Sequence, residues 1–328
     1  MKSIKIVHCA NFGESKSGAV YYSMDKKISN GFIRNGHFVY DFSYREIAKN
    51  STLFKSKKFG IKNVNASLLQ TVKNIEPDLL LLGHSELILD ETLLEIKTLF
   101  PKIKIAMWWV DWVFNLKNIS SRLDIIDRFF ITTDPFELKR MDVKEDIFKK
   151  CHYLPNLCDD SVDTFKAFEN DTYDYDVLFI GRYDKDRESF INFLKDTFSN
   201  IKLGLFGLDK KSVVSGSDYL KTIAASKIGI NYSRNNDISM YSSDRIIHLA
   251  ANGVLVFSPR IPKLNEVFSD DEVVYFDNEE DFEKKLNYYL NNNEERIKIA
   301  KSGWKKAHNV YNEKKVTSNM LEKIWNNK

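Results

Sequence analysis

Hydrophobic and polar positions follow two alternating patterns along most of the chain. Short apolar runs of strand length recur between segments whose apolar residues fall at helical spacing. In the first half these patterns predict strands at 4–10, 38–42, 79–82, 103–109 and 129–132, with helices at 19–35, 68–75 and 91–100. Strands that alternate with helices favour a parallel α/β sheet.

A second series of the same kind begins at Asp176. It predicts strands at 177–180, 202–206, 228–232 and 254–257, and helices at 187–198 and 218–226. Segment 155–175 is acidic and polar without clear periodicity, and we interpret it as an interdomain linker. A last helix, at about 313–325, has no strand after it. The pattern therefore predicts two Rossmann-like domains, residues 1–156 and 157–312.

Segment 242–289 is the most informative part of the second series. It predicts helix, strand, short helix, strand and long helix, and Ser242, Ser243 and Asp244 are all good N-cap residues for the first helix. A helix N-terminus offers free backbone N–H groups and a positive dipole end. With Arg245 beside it, this N-terminus is a candidate phosphate site. An ordinary βα unit without a ligand is the alternative.

A second cationic candidate follows the strand at 177–180. Gly181 at the strand end lets a ligand approach the backbone, and three cationic side chains come shortly after it: Arg182, Lys185 and Arg187. Cations placed here stabilise charge that grows on a leaving phosphate. The alternative is a solvated helix start with alternating charges.

Short motifs in both halves resemble the CgeB-like glycosyltransferases, and the Gly-Arg…Lys element at Gly181 is similar to that of group-1 glycosyltransferases. In the first half they are GFIRNGH (31–37), LLLGHSEL (80–87), WVDWVF (109–114) and LPN (154–156). The family's Arg-x-Phe-Glu-x-x-Ala-x-Gly helix is matched by Arg245, Ile247, His248, Ala251 and Gly253, and the end of its pattern by Gly303, His308 and Tyr311.

The resemblance implies an α/β protein of GT-B architecture, with two Rossmann-like domains whose parallel sheets face each other across a cleft. The terminal helix, 313–328, is then expected to pack on the first domain. The implied activity is transfer of a sugar from a nucleotide-activated donor to an acceptor hydroxyl in surface glycan or polysaccharide synthesis. The implied donor site contains Gly181, Arg182, Lys185, Arg187, Ser243, Arg245 and His248.

Two positions depart from the family pattern. His248 stands where the family usually has the Glu that holds the donor ribose, and Met240 stands where many retaining relatives have a second Glu. These replacements leave the retaining or inverting outcome open. They also keep two alternatives open, a nucleotide-sugar epimerase of the same fold and a non-catalytic partner or sugar-binding subunit.

Ligands of open α/β sheets bind at the carboxyl ends of strands, and several polar residues of the first domain are predicted there. An inverting enzyme needs a base near the acceptor hydroxyl, for which His or a carboxylate is usual. Asp111 lies among Trp108, Trp109 and Trp112, which can bind sugar faces and raise a carboxyl pKa. The candidate catalytic residues are Asp111, His84 and Glu14, with Asn11, Glu86 and Asp134 also at strand ends. A structural role is the alternative for each.

Charge and composition restrict the partners. The net charge is +3, but residues 1–156 carry 24 Lys and Arg against 18 Asp and Glu. This excess favours an anionic acceptor, such as a lipid-linked glycan, or an anionic membrane surface, and the Trp-rich segment 107–114 could contact a membrane interface. No basic and aromatic cluster indicates nucleic acid.

The three cysteines form no paired framework, which favours a reducing cytoplasm. Two Asp-x-Asp pairs could suggest a divalent metal ion. The pair at 174–176 enters a strand at the wrong end for a ligand, and the pair at 184–186 is better placed but lies among the proposed phosphate cations. We expect no cofactor or required metal, with the nucleotide sugar as co-substrate. We expect a cytoplasmic protein, with peripheral contact at the inner face of the membrane.

Overall fold

The structure, a computed structural model, describes residues 2–111, 119–141 and 145–326. The chain forms two compact units, the first made of Met1–Leu154 and Glu313–Lys328 and the second of Pro155–Asn312. Each unit contains one sheet in which all the strand pairs are parallel. Among the described residues, no helix combines the length and apolar content needed to cross a bilayer.

The sheet of the first unit has the strand order β2-β1-β3-β4-β5-β6. Its strands are β1 (Lys5–Ala10), β2 (Phe38–Ser43), β3 (Leu79–Gly83), β4 (Lys104–Trp109), β5 (Arg128–Ile131) and β6 (Cys151–Tyr153). The helices between them are α1 (Met24–Arg34), α2 (Tyr44–Asn50), α3 (Ile61–Ile75), α4 (Asp90–Leu99), α5 (Ile119–Ile125) and α6 (Glu145–Phe148). All five residues of β3 are buried, as expected for a parallel strand covered on both faces.

The second unit repeats this organisation with the strand order β11-β10-β9-β7-β8. Its strands are β7 (Tyr175–Ile180), β8 (Leu203–Phe206), β9 (Ser226–Ile230), β10 (Leu255–Pro259) and β11 (Val274–Phe276). Its helices are α7 (Glu188–Thr197), α8 (Ser217–Ala224), α9 (Arg245–Ala251), α10 (Glu279–Asn291) and α11 (Asn293–Val310). An aromatic core that includes Phe179, Phe190 and Phe282 fills the space between helices and sheet.

Element types agree with the sequence pattern at every predicted strand, and the boundaries differ where loops intervene. The helix predicted at 19–35 begins only at Met24, with Ser23 as N-cap. Residues 19–22 form turns instead, in which the Tyr21 N–H donates to the Gly18 carbonyl at 3.1 Å and the Ser23 N–H to the Val20 carbonyl at 3.0 Å. Helix α2 was not predicted, because it follows β2 with no polar break.

Segment 155–175 is not a free linker, and that interpretation was wrong. Asp159 and Asp163 are fully buried within the second unit. The Asp163 carboxylate accepts hydrogen bonds from the Asp159 N–H at 2.9 Å and the Asn252 side-chain amide at 3.2 Å, and the Ala167 N–H donates to the Asn252 carbonyl at 2.9 Å. The acidic residues therefore bind polar groups of the unit, which removes the apolar periodicity that would have revealed burial.

The terminal helix α12 (Glu313–Trp325) belongs to the first unit and packs on α1. The Arg34 guanidinium forms a 2.6 Å ion pair with Glu313, whose side chain is almost fully buried. The Asn35 side-chain amide donates to the Lys314 carbonyl at 2.8 Å and to the Thr317 hydroxyl at 3.0 Å. Gly31 permits this approach, since a Cβ there would lie 2.2 Å from the Glu313 carbonyl oxygen.

We predict that Gly31→Ala destabilises the protein by about 2 kcal/mol or more, despite the better helix propensity of alanine, because the added methyl overlaps backbone that cannot move independently. Urea unfolding would measure the change. Ile33→Ala on the exposed side of the same helix, where the side chain is 52% exposed, is the control and should change stability by less than about 1 kcal/mol. Equal stability of the two variants would show that α12 is not held by this contact.

Candidate functional site

The carboxyl end of β7 is the point around which the cationic residues of the second unit assemble. The Gly181 N–H continues the sheet by donating to the Phe206 carbonyl at 2.9 Å. A Cβ at Gly181 would lie 2.6 Å from Nη2 of Arg245. Glycine is therefore required here because the Arg245 guanidinium packs against the backbone.

Arg245 is the first residue of α9 and is 6% exposed. Its Nε donates to the Ile180 carbonyl at 2.6 Å and its Nη1 to the Tyr232 carbonyl at 3.2 Å. The guanidinium carbon lies 4.9 Å from the centre of the Phe179 ring. Burial lowers the pKa of Arg245 from its usual value. Within the part of the chain that the structure describes, no carboxylate forms an ion pair with it.

A second buried arginine lies against the same ring. The guanidinium carbon of Arg187 is 5.6 Å from the centre of Phe179, and its Nη2 donates to the Arg182 carbonyl. Burial, together with the positive charge of Arg245, lowers the pKa of Arg187 to about 10. Its Nε has no hydrogen-bond partner among the described residues. Two buried guanidinium groups thus repel each other at the end of one strand.

The surroundings of this arginine pair compensate its charge only weakly. The nearby carboxylate of Asp184 forms a 2.9 Å ion pair with Arg234 instead. Arg187 also borders a small depression of about 210 Å³, which Lys195 and the acidic residues Asp184, Glu188 and Asp209 help to line.

The loop between β9 and α9 supplies neutral polar groups. Three of its buried side-chain oxygens, on Asn231, Ser233 and Ser243, have no hydrogen-bond partner among the described residues. Buried polar atoms are normally satisfied, and a bound ligand or water is the usual explanation for exceptions. Ser243, a predicted donor-site residue, is among them.

His248 and Met240 occupy the two positions that depart from the family pattern. His248 is buried on α9, and its Nδ1 is 3.0 Å from the hydroxyl of Tyr219 on α8. Met240 adopts left-handed backbone (φ 59°) and its N–H donates to the Pro262 carbonyl at 2.8 Å. Lys185 and Arg182 have exposed side chains. Of the predicted donor-site residues, the structure thus brings Arg187 and Arg245 together at Gly181.

In the first unit, His84 and Asp111 lie near each other at the ends of β3 and β4. The His84 ring stacks on Trp109 at 4.0 Å and meets Trp108 edge-on at 5.7 Å. Burial lowers the pKa of His84, whereas the negative charge of Asp111, an exposed residue, opposes this shift. Trp112 and the two motif residues that follow it, 113–114, lie outside the described residues.

The other candidates of the first unit are engaged elsewhere or separate. Both carboxylate oxygens of Glu86 are bound, one by the Tyr44 hydroxyl and one by Arg45 at 2.6 Å. Asp134 accepts from the Phe136 N–H at 3.0 Å in a turn. Glu14 is exposed on a short 3₁₀ turn. Among the described contacts, none joins Glu14 to His84.

Asp25 is a candidate that the sequence did not reveal. It lies in the first turn of α1, and one oxygen of its carboxylate accepts the Asn11 N–H at 2.9 Å at the end of β1. Burial raises the pKa of Asp25 to about 6. An acidic residue in the first turn of a helix ordinarily complements the helix dipole. Nothing in the sequence showed that the backbone at the end of β1 would lie against this carboxylate.

The comparisons with known proteins bear on the family and the fold. Residues 170–322 match the family model described as "Glycosyl transferase-like". The match covers most of the second unit and most of α12, which together are less than half of the chain. The predicted resemblance is confirmed at the level of the glycosyltransferase family. No match to a curated protein was found.

Solved structures with similar folds cover nearly the whole chain. A glycosyltransferase from Rickettsia africae shares 13% identity over 98% of both chains, with a TM-score of 0.58. A sucrose-phosphate synthase from Thermosynechococcus elongatus shares 10% over 98% of both, with a TM-score of 0.63. Anabaena HepE, solved with UDP-glucose, shares 9% over 97% of this chain and 98% of its own, with a TM-score of 0.60. The predicted GT-B fold class, with two parallel sheets, is confirmed.

We predict that the stability contributed by Asp25 falls as pH rises. Because its carboxyl pKa is higher in the folded protein (about 6 against 3.8), the folded state binds the extra proton between these values. Its contribution is then full below about pH 4 and lost above pH 6, a change of about 3 kcal/mol.

Urea unfolding of the wild type and Asp25→Asn at several pH values would measure this change. Asparagine keeps an acceptor for the Asn11 N–H but carries no charge. The variant should therefore gain stability relative to the wild type as pH rises from 4 to 7. Parallel pH profiles for the two proteins would disprove the raised pKa.

Proposed function

We propose that the protein transfers a sugar from a nucleoside diphosphate sugar, and that Arg187 and Arg245 bind the diphosphate of this donor. The observation that carries the proposal is the pair of buried guanidinium groups on the Phe179 ring, with no carboxylate paired to either among the described residues. A diphosphate carries the charge and the acceptor oxygens that such a pair lacks.

The position of the pair fits this role. It lies at the carboxyl end of a central strand of a parallel sheet, where ligands of open α/β folds bind. Gly181 leaves the backbone open there, and Ser243 offers an unsatisfied hydroxyl nearby in sequence. Anabaena HepE, a structure of similar fold, was solved with UDP-glucose, so UDP is the first nucleotide to test.

The same arginines favour a mechanism without a required metal. As the sugar leaves, negative charge grows on the diphosphate, and two preorganised cations in a water-poor site stabilise that charge. This is the contribution that a divalent ion would otherwise supply. Lys185 and Arg182 are exposed and able to approach the same phosphates on binding. His248 is proposed to hold α8 and α9 together through Tyr219 rather than to act as an acid or base.

For the acceptor we propose the His84 and Asp111 pair as the base or orienting group, in preference to Glu14. The lowered pKa keeps His84 neutral, and a neutral imidazole can accept the proton of a hydroxyl. Trp109, stacked on the ring, holds it in one orientation. The acceptor is proposed to be a glycan or lipid-linked hydroxyl.

We predict that Arg187→Gln weakens nucleotide binding by about 10- to 100-fold without destabilising the protein. The loss reflects one or more charge-assisted hydrogen bonds, whereas removal of one of two mutually repelling buried charges offsets the lost contact with the Arg182 carbonyl. Calorimetric titration with UDP, GDP, ADP, CMP and their sugars, with EDTA present, would measure affinity, and thermal unfolding would measure stability.

Arg234→Gln is the matched control for this experiment, since it removes a neighbouring but exposed arginine that pairs with Asp184. It should retain nucleotide affinity within a few fold. If the wild type binds none of the nucleotides, the non-catalytic alternative replaces the proposed function. Nucleotide binding that is seen without EDTA and lost when EDTA is added would overturn the metal-independent mechanism.

We predict that His84→Gln lowers kcat/KM for sugar transfer by about 100-fold or more, the usual contribution of a general base. The affinity for the nucleotide should stay unchanged, because His84 belongs to the other unit. The rate of nucleotide release in the presence of acceptor would be measured across pH. Glu14→Gln is the control, and a larger loss in Glu14→Gln than in His84→Gln would reverse the assignment.

A further inference from the structure

The connection between α2 and α3, residues 51–60, exposes apolar side chains to an unusual degree. Leu53 is 98% exposed, Phe54 86% and Phe59 75%. Single exposed apolar residues are ordinary, but three large ones within seven positions form a local apolar surface. We call residues 51–60 the apolar–basic loop.

The loop holds these side chains outward through its own polar contacts. The Thr52 hydroxyl accepts the Ser56 N–H at 2.9 Å and donates to the Lys49 carbonyl at 3.2 Å. The Asn63 side-chain amide anchors the Ser51 carbonyl at 3.2 Å. Gly60 lies so close to Ala48 that a Cβ would be 1.9 Å from its carbonyl oxygen. The polar residues therefore bind the backbone of the loop, and the apolar residues project into solvent.

The charge around the loop has one sign. Between Glu46 and Glu76 the chain contains no acidic residue, and it contains six lysines. Lys55, Lys57 and Lys58 are exposed and lie between the apolar residues Phe54 and Phe59. Within the described part of the chain, none of these three lysines forms an ion pair. Exposed apolar side chains beside lysines without ion pairs are complementary to a partner that has an apolar interior and an anionic surface.

We propose that the apolar–basic loop binds an anionic lipid bilayer. Leu53, Phe54 and Phe59 insert among the acyl chains, and the three lysines contact the phosphate headgroups. Nucleic acid fits the lysines but gains little from a fully exposed leucine, since its recognition relies on stacking against aromatic faces. The proposal does not depend on the donor site, because every residue of the loop lies in the first unit.

This surface replaces the Trp-rich segment as the candidate membrane contact. In the described part of that segment, Met107 and Trp108 are buried in β4, with 3% and 1% exposure. Trp109 is only partly exposed and stacks on His84. These residues are therefore committed to packing within the first unit, whereas the apolar–basic loop is not.

Co-sedimentation of the full chain with lipid vesicles tests the proposal. The wild type should bind vesicles of phosphatidylcholine mixed with phosphatidylglycerol and bind phosphatidylcholine alone much more weakly. Replacing Lys55, Lys57 and Lys58 by Gln should weaken binding to the mixed vesicles about 100-fold, at about fivefold per lysine. Replacing Leu53, Phe54 and Phe59 by Ser should weaken it by about 100-fold or more, because insertion is lost.

Two control variants match these changes in charge and in apolar surface. The first control removes three exposed lysines from α11 by replacing Lys298, Lys301 and Lys305 with Gln. The second removes two exposed leucines from α4 by replacing Leu94 and Leu99 with Ser. Both should bind the mixed vesicles like the wild type. Unchanged nucleotide binding and circular dichroism in the loop variants would show that their folding is intact.

Three results would overturn the proposal. The first is no binding of the wild type to the mixed vesicles, and the second is wild-type binding by the Leu53, Phe54 and Phe59 variant. The third is displacement of the protein from the vesicles by a single-stranded oligonucleotide, which would indicate that the lysines bind nucleic acid. Failure of nucleotide binding, in contrast, would affect the proposed donor site and leave this result unchanged.

Discussion

The burial of the Arg245 charge is the constraint on which the second unit depends. Its guanidinium is removed from water, yet its hydrogen bonds are made to two carbonyl oxygens, of Ile180 and Tyr232. Carbonyl dipoles and the negative face of the Phe179 ring stabilise a cation less than a carboxylate does. The position of α9, the glycine at 181 and the packing of Phe179 all follow from holding this group at the strand end.

Arg187 increases the strain of this arrangement. A second buried cation beside the first costs free energy, and the lowered pKa of both side chains expresses that cost. Sites that bind charged ligands commonly sacrifice stability in this way, because the groups are arranged for the ligand and not for the empty protein. An anion that binds to both guanidinium groups would offset this unfavourable free energy.

Two histidines of the first unit differ in their surroundings, because one lies within a strand and the other lies just beyond a strand end. His8, within β1, accepts from the Trp108 indole at 3.0 Å on Nε2, so its proton lies on Nδ1, 2.8 Å from the Ser29 hydroxyl. Burial lowers its pKa to about 4, and the network leaves it no contact with solvent. His84, one residue beyond β3, keeps part of its ring exposed and lies near a carboxylate.

The sequence was sufficient to place the strands and the arginines, because these depend on local pattern. Apolar runs mark parallel strands, and Arg187 and Arg245 stand close in sequence to predicted strand and helix ends. That these arginines bind a ligand stays a prediction. It could not show that Glu86 is bound by Tyr44 and Arg45, or that Asp25 is buried, since both depend on loops folding back over the sheet. The polar segment 155–175 misled for the same reason. The Asp163 carboxylate is buried against the side chain of Asn252, which lies far away in sequence.

The family departures at Met240 and His248 bear directly on the arginine pair. A glutamate at either position would add a negative charge near Arg245, within one helical turn in the case of His248. Neither Met240 nor His248 is a carboxylate, so the guanidinium groups lack that compensation. Under the proposed function, the attraction for a dianionic diphosphate would be stronger, because less of the cationic charge is neutralised by the protein. The replacements that remove a ribose contact would then shift recognition of the proposed donor from its sugar hydroxyls towards its diphosphate.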